Sequence, residues 1–510
     1  MRLHNKEARG TRTSIFVGTA ISTAIYQATI ILTGFIVPRI IISQYGSDAN
    51  GLVNSLTQFI NYFSVVEAGI SGAAVVMLYR PLARGDWGRI SKVVTASKIF
   101  YIKSGLIFTL LVLSLAILYP LLGQVGFLSA PEVAVLVFAL GAKGFLDFFT
   151  LSKYRVLLTA DRRTWVIQLA SSLYQVLNAV IIFALATAGA PITLAYALSL
   201  VAIFSRTAIL VIYTKVRYPQ VNYSADSRDV KLEQRWDALF LQVLGVVQQG
   251  APVIIATLVL GDYKLVSVFS IYLLIANGLQ QIPNFLATGL QASFGELLAN
   301  GEMEKLRRAY AEYELLTYAV VAVACACGFA LILPFVQLYT SGITDQGYLY
   351  PVLGFLCVLN VFLYHAKSPQ GLMVIAAGLY RATRWQTLAQ ALILIVVALA
   401  AGIQFGMAGI FLGMCASNLY RLIDLIVFIP RKVTGDPVRN SVRRLMANAV
   451  AMAITALILC ALVDDAGSSW ASWMVWALVS CLLGVGVILI LNAVFNRREM
   501  GELAHRIIRR

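Results

Sequence analysis

Apolar stretches long enough to cross a bilayer follow one another along the whole chain, with little between them long enough to fold into anything else. About 20 apolar residues make one helical span. Fourteen such stretches can be marked, at roughly 14–38, 52–79, 99–121, 132–152, 164–187, 192–214, 238–260, 265–290, 315–338, 349–376, 385–403, 408–430, 446–463 and 470–494. Charged residues make up 13% of the 510 residues, against about 25% in soluble domains. The expectation is an all-α integral membrane protein of about 14 transmembrane helices. The first stretch is too long for a cleavable signal peptide and lacks a cleavage-site pattern, so it is read as the first membrane helix.

The basic residues then sort by side. Thirty-three of the 40 Lys and Arg fall in the N-terminus, in every second loop and in the tail. The alternate loops hold only Arg39 and Lys264, together with Asp48, Glu132, Asp262, Asp345, Asp464 and Asp465. The positive-inside rule places both termini in the cytoplasm. The net charge of +16 is thereby read as topology and attraction to anionic lipid, not as a nucleic-acid surface. External loops are too short to build the active site of a membrane glycan polymerase or ligase, so no enzyme is expected. The six cysteines all lie in apolar segments. They suggest neither a disulfide framework nor a metal site.

An internal repeat is visible. Leu82-Ala83-Arg84-Gly85-Asp86-Trp87-Gly88-Arg89-Ile90 and Leu298-Ala299-Asn300-Gly301-Glu302-Met303-Glu304-Lys305-Leu306 share L-A-x-G-acid-x-x-base-aliphatic. One follows the second span and the other the eighth. An offset of six spans predicts two six-helix lobes of like orientation with a central cavity. The expected divisions are an N-lobe over 1–214, a cytoplasmic linker over 215–237, a C-lobe over 238–430, and two extra helices with a basic tail over 431–510.

The N-terminal part has further landmarks. A basic start leads to Gly34-Phe35-Ile36-Val37-Pro38-Arg39, then Gln44-Tyr45-Gly46 and Asn50-Gly51-Leu52. A polar-faced second span ends in Glu67-Ala68-Gly69-Ile70 before the Leu-Ala-x-Gly-Asp loop. This layout resembles the polysaccharide transporter family of oligosaccharide-lipid flippases, within the multidrug/oligosaccharidyl-lipid/polysaccharide exporter superfamily. The resemblance implies MATE-like lobes, alternating access, and transport of a sugar chain on a polyprenyl pyrophosphate across a bacterial cytoplasmic membrane. O-antigen, capsule and exopolysaccharide repeat units are the cargo class it implies. Contacts with a glycan polymerase and glycosyltransferases are also implied. Lipid II flippases and multidrug/cation antiporters share the layout and stand as alternatives.

Four cations lie deep in the apolar stretches: Lys143, Arg206, Lys367 and Arg421. Each costs about 2.5–3.5 kcal/mol at the bilayer centre. The acids in the same stretches are Glu67, Asp147 and Asp424. Lys143 with Asp147, and Arg421 with Asp424, share a helix face and can neutralise each other. Arg206 and Lys367 have no acid within a turn. The surplus of positive charge suits a pyrophosphate, which arginine can hold with two parallel bonds. Asn54, Gln58 and Asn61, with Tyr62 beside them, form a polar stripe suited to sugar hydroxyls. Glu67, Asp147, Asp424 and His365 are the candidates for coupling to H+ or Na+. No P-loop sequence is present for ATP, and no cofactor is expected. Pro369, in Lys367-Ser368-Pro369-Gln370-Gly371, predicts a kink.

Overall fold

The computed structural model describes residues 2–67, 70–122, 125–230, 236–287, 290–463, 466–497 and 499–501. Among these, thirteen segments are helical, long and apolar enough to cross a membrane. The first, Gly18–Val66, runs for 49 residues, roughly 74 Å at 1.5 Å per residue, more than twice a bilayer core of about 30 Å. It breaks at Gly46, whose φ of 86° and ψ of 172° suit a residue without a Cβ. That corner separates the first two of the fourteen expected spans, which accounts for the difference in count.

The chain forms two compact units, Met1–Val246 and Val247–Arg510. The first contains α1 (Arg2–Phe63), α2 (Ile70–Arg84), α3 (Trp87–Leu122), α4 (Ala130–Leu146), α5 (Ser152–Ala160), α6 (Thr164–Thr187), α7 (Ile192–Ser199) and α8 (Ala202–Arg217). α9 (Trp236–Leu260) straddles the division. The second contains α10 (Tyr263–Ala287), α11 (Leu290–Ala299), α12 (Met303–Tyr339), α13 (Pro351–Ala366), α14 (Ser368–Ala376), α15 (Tyr380–Phe405), α16 (Met407–Ile429), α17 (Val438–Leu462) and α18 (Trp470–Phe495).

The sequence repeat is a repeated turn. Gly85 and Gly301 have φ of 67° and 71°. The Gly85 N–H donates to the Leu82 carbonyl (3.3 Å) and Asp86 N–H to that of Pro81 (3.0 Å). Gly301 N–H donates to Leu298 (3.2 Å) and Glu302 N–H to Leu297 (3.0 Å), the same pair of bonds 216 residues on. This is a Schellman ending, which needs a left-handed residue where the glycine stands. The acid after it accepts the first bond of the next helix: Ile90 N–H donates to Asp86 (2.9 Å) and Leu306 N–H to Glu302 (3.0 Å). Ile90 and Leu306 are both fully buried. The leucine, glycine, acid and aliphatic positions of the shared pattern thus each take the same part in the two turns.

The helix after each turn is repeated as well. α3 and α12 are 36 and 37 residues long, each with a proline near its end, Pro120 and Pro334. Both outrun the spans expected from hydropathy because their first turns carry charge: Arg89, Lys92 and Lys98 in one, Lys305, Arg307 and Arg308 in the other. The next span is interrupted in each unit. A π-helical stretch, Asp147–Leu151, joins α4 to α5. Lys367 ends α13 and caps α14. The kink expected at Pro369 therefore lies two residues earlier, because proline is well placed in the first turn of a new helix. The expected second span, 52–79, is likewise broken, by a 3-10 turn at Ser64–Glu67.

In the second unit α15 and α16 pack with almost no space between backbones. A Cβ on Gly409 would lie 2.0 Å from the Ala401 oxygen, and one on Gly413 2.5 Å from the Ala398 nitrogen. This is the small-xxx-small contact that holds membrane helices together. α17 and α18 pack along α12. All six cysteines are free; Cys460 and Cys481 are exposed.

Candidate functional site

The mid-span charges gather into one cluster per unit. In the first, Lys143 stands on α4, Asp147 at the start of the π-helical stretch, Tyr174 on α6 and Arg206 on α8. Asp147 pairs with Arg206 across helices, not with Lys143 on its own helix. Lys143 Nζ and Arg206 Cζ each lie 5.1 Å from the centre of the Tyr174 ring. Two cations thus share one ring and one carboxylate. Arg206 Nε is buried with no hydrogen-bond partner among the described residues. Lys143 is exposed and has no ion-pair partner among the described residues. A lysine at mid-span with no ion pair leaves a positive charge that lipid would host only at a cost of about 2.5–3.5 kcal/mol.

The second unit holds the same inventory, satisfied differently. Lys367 sits at the α13–α14 break, with Arg421 and Asp424 on α16 and Tyr364 on α13. Arg421 Nη1 is 2.6 Å from Asp424 Oδ2. Lys367 Nζ donates to Asn418 Oδ1 at 2.6 Å and lies 4.8 Å from the Tyr364 ring centre. Asn418 in turn donates to Asn360 Oδ1 at 2.9 Å. Gln390 Nε2 approaches the same Asn418 oxygen at 3.5 Å, and Ser417 Oγ donates to the Gln390 carbonyl at 3.0 Å. The ammonium without an acid within a turn is thus held by amide dipoles from three helices.

A third cluster escaped the sequence reading. Glu314, fully buried on α12, accepts from Arg444 Nη1 (2.7 Å) and Ser441 Oγ (3.0 Å) on α17. Its other oxygen accepts from Gln370 Nε2 (2.9 Å) on α14 and Tyr318 OH (3.2 Å). By sequence Arg444 is one more surface charge of a cytoplasmic loop; in the structure it is buried. A ladder continues outward: Asn448 Nδ2 donates to the Arg444 carbonyl, Asn492 Nδ2 to Asn448 Oδ1 and Asn496 Nδ2 to Asn492 Oδ1, at 2.9, 2.8 and 2.8 Å. α17 and α18 are fastened by this network to α12, and through Gln370 to the segment that begins at Lys367. The available signal was weak. Glu314 lies one residue outside its expected span, and its partner is 130 residues away.

The remaining candidates are dispersed. On the second span Asn54 and Gln58 are half-buried and Asn61 exposed; Asn54 Nδ2 donates to the Asn50 carbonyl at 2.9 Å. Tyr62 is half-buried beside them. The Glu67 side chain lies outside the described residues. His365 is fully buried, its Nδ1 3.4 Å from Ser368 Oγ.

No family model matches the chain, and no curated protein matches it by sequence. Solved structures do. A lipid II flippase, MurJ, in an inward closed conformation, aligns over 94% of this chain and 98% of its own, with TM-score 0.59 and 13% identity. An inward-facing multidrug resistance MATE family transporter aligns over 82% of this chain and 98% of its own, with TM-score 0.57 and 15% identity. A MOP superfamily transporter from Pyrococcus furiosus Vc1, described as having a binding pocket of reverse polarity, aligns over 85% of this chain and 96% of its own, with TM-score 0.59 and 18% identity. The chain has the all-helical membrane fold of the MurJ and MATE transporters.

Proposed function

We propose that this protein is a flippase that moves a polyprenyl-pyrophosphate-linked oligosaccharide from the cytoplasmic to the outer leaflet by alternating access. One observation carries the reading: each unit sets two cations, one carboxylate and a tyrosine stacked under one of the cations at mid-span. Each cluster keeps one surplus positive charge, which favours an anionic headgroup and disfavours a cationic drug. Lys143, which has no ion pair among the described residues, and the unpartnered Nε of Arg206 are the groups that take a phosphate oxygen. Arg421 and Lys367 supply positive potential from fixed positions. The polar stripe of Asn54, Gln58, Asn61 and Tyr62 offers hydrogen bonds to sugar hydroxyls, and the prenyl tail stays in lipid.

The membrane potential suffices as a drive. A pyrophosphate carrying about two negative charges, moved outward across 100 mV, inside negative, goes downhill by about 4–5 kcal/mol. Coupling to H+ or Na+ through Glu67, Asp147, Asp424 or His365 is the added proposal. Collapsing both ion gradients while holding the voltage should then slow transport; an unchanged rate refutes coupling. A bacterial cytoplasmic membrane location, beside a polymerase and glycosyltransferases, belongs to the same reading.

A second reading, transport of lipid II itself, is favoured by the likeness to a lipid II flippase over 94% of this chain. One reconstitution separates the readings. Fluorescent polyprenyl-pyrophosphate oligosaccharide, lipid II and a cationic dye are offered to the protein in liposomes. The first should cross fastest. Passage of the dye alone overturns the proposal, and passage of lipid II alone moves it to the second reading.

A further inference from the structure

Three more lysines converge at the basic ends of the first unit's helices, away from the mid-span cluster. Lys98 on α3 donates from Nζ to the Tyr223 carbonyl at 3.2 Å. Lys153 Nζ stands 5.0 Å from the Tyr154 ring centre and 5.9 Å from that of Tyr223. The two rings meet edge to face at 5.3 Å. Lys98 and Lys215, the latter in the last turn of α8, are the charged neighbours of Lys153. Tyr223 lies on the segment after α8, which folds back onto the start of α3: the Asn222 N–H donates to Ser91 Oγ at 2.9 Å, and Thr95 Oγ1 to the Asn222 carbonyl at 3.3 Å.

Like charges brought together repel unless an anion lies among them. The nearby acids are engaged elsewhere. Asp229 holds Arg89 (2.9 Å) and Lys92 (3.1 Å), Asp226 holds Arg228 (3.4 Å), and Asp161 holds Arg163 (3.2 Å). No carboxylate among the described residues pairs with Lys98, Lys153 or Lys215. The Tyr223 hydroxyl is buried and has no hydrogen-bond partner among the described residues. The positive-inside bias accounts for lysines on this side of the membrane. It does not require that one of them stand over two packed rings with a spare phenol while two others gather beside it.

We infer that Lys98, Lys153, Lys215 and Tyr223 form a second anion site, built for a phosphate-bearing group at the basic rim of the first unit. Ammonium groups serve phosphate as point charges, and a phenol O–H adds one directional bond. The group comes either from an anionic lipid headgroup in the adjacent leaflet or from a phosphate compound in solution. The site does not depend on flippase activity.

The test uses the full-length protein with Lys143→Met as background, so that the mid-span cluster cannot answer for the rim. Inorganic pyrophosphate is titrated calorimetrically in detergent, and retention of phosphatidylglycerol is measured by native mass spectrometry after release from mixed phosphatidylcholine nanodiscs. Adding Lys153→Gln or the exposed Lys215→Gln should weaken one of these by about tenfold, the scale of one charge-assisted phosphate contact. Loss of pyrophosphate binding identifies a soluble source. Loss of phosphatidylglycerol retention alone identifies the lipid. Both measurements unchanged in both variants, each still monodisperse, overturn the site. Because Lys215 is exposed, its variant keeps the test valid if Lys153→Gln fails to fold. Loss of pyrophosphate binding on Lys143→Met alone would bear on the mid-span reading instead.

Discussion

The two mid-span clusters use the same four residue types and leave them in different states. In the second unit every charged group is closed off: Arg421 by Asp424, and Lys367 by Asn418 with Asn360 and Gln390 behind it. In the first unit Asp147 reaches across to Arg206, and Lys143 is left with an aromatic ring and no ion pair among the described residues. Equal formal charge therefore does not mean equal availability. A cation held from all sides contributes field and stability, whereas one left open can bind. If this is right, substitutions in the closed network should cost folding. Substitution of Lys143 should cost transport alone.

The most closed group gives the largest effect. Glu314→Gln removes the 2.7 Å counter-charge of buried Arg444 and leaves only Glu499 at 3.7 Å, and should lower stability by about 3 kcal/mol, seen as a drop in unfolding temperature in detergent. Glu314→Leu combined with Arg444→Met should recover most of it, because a matched apolar pair is often no worse than a buried ion pair. A double variant as unstable as the single one would show that the remaining network, not the pair, sets the cost.

Next comes the across-helix pair. Asp147→Asn strands Arg206, whose side chain is only 12% exposed, at a cost approaching about 3 kcal/mol. It also leaves Lys143 in a more positive field, so binding of an anionic headgroup should tighten even as the fold weakens. Weaker headgroup binding in that variant would break the comparison at its centre. Lys367→Met should be milder, about 1 kcal/mol, the penalty for a buried amide oxygen that loses its closer donor and keeps only Gln390 at 3.5 Å. A transport defect without any stability loss at Lys367 would mean that this lysine is open after all.

How far the sequence carries depends on the range of the interaction. The spans and the repeated turn were legible because hydropathy and the L-A-x-G-acid pattern are both local. The Arg421–Asp424 pair was legible for the same reason, since three residues on a helix are neighbours. Lys143 and Asp147 offered an equally local pairing, and it does not form. Arg206 lies 59 residues from Asp147, and no periodicity reports that contact. The Asn418–Lys367 bond and the Glu314–Arg444 pair are likewise between helices. Arg444 looked like one more basic loop residue because a span boundary drawn from hydropathy cannot tell a buried end turn from an exposed one.

The central claim rests on Lys143 as the open cation that takes the anionic headgroup. The most direct measurement is the initial rate of outward flipping of a fluorescent polyprenyl-pyrophosphate oligosaccharide in liposomes carrying wild type, Lys143→Met or Lys143→Arg, each with its unfolding temperature recorded. The account predicts a loss of about tenfold or more for Lys143→Met, the loss of roughly 1.4 kcal/mol of transition-state stabilisation. Lys143→Arg should stay near the wild-type rate, and unfolding temperatures should be nearly unchanged. Wild-type flipping by a well-folded Lys143→Met protein would contradict it.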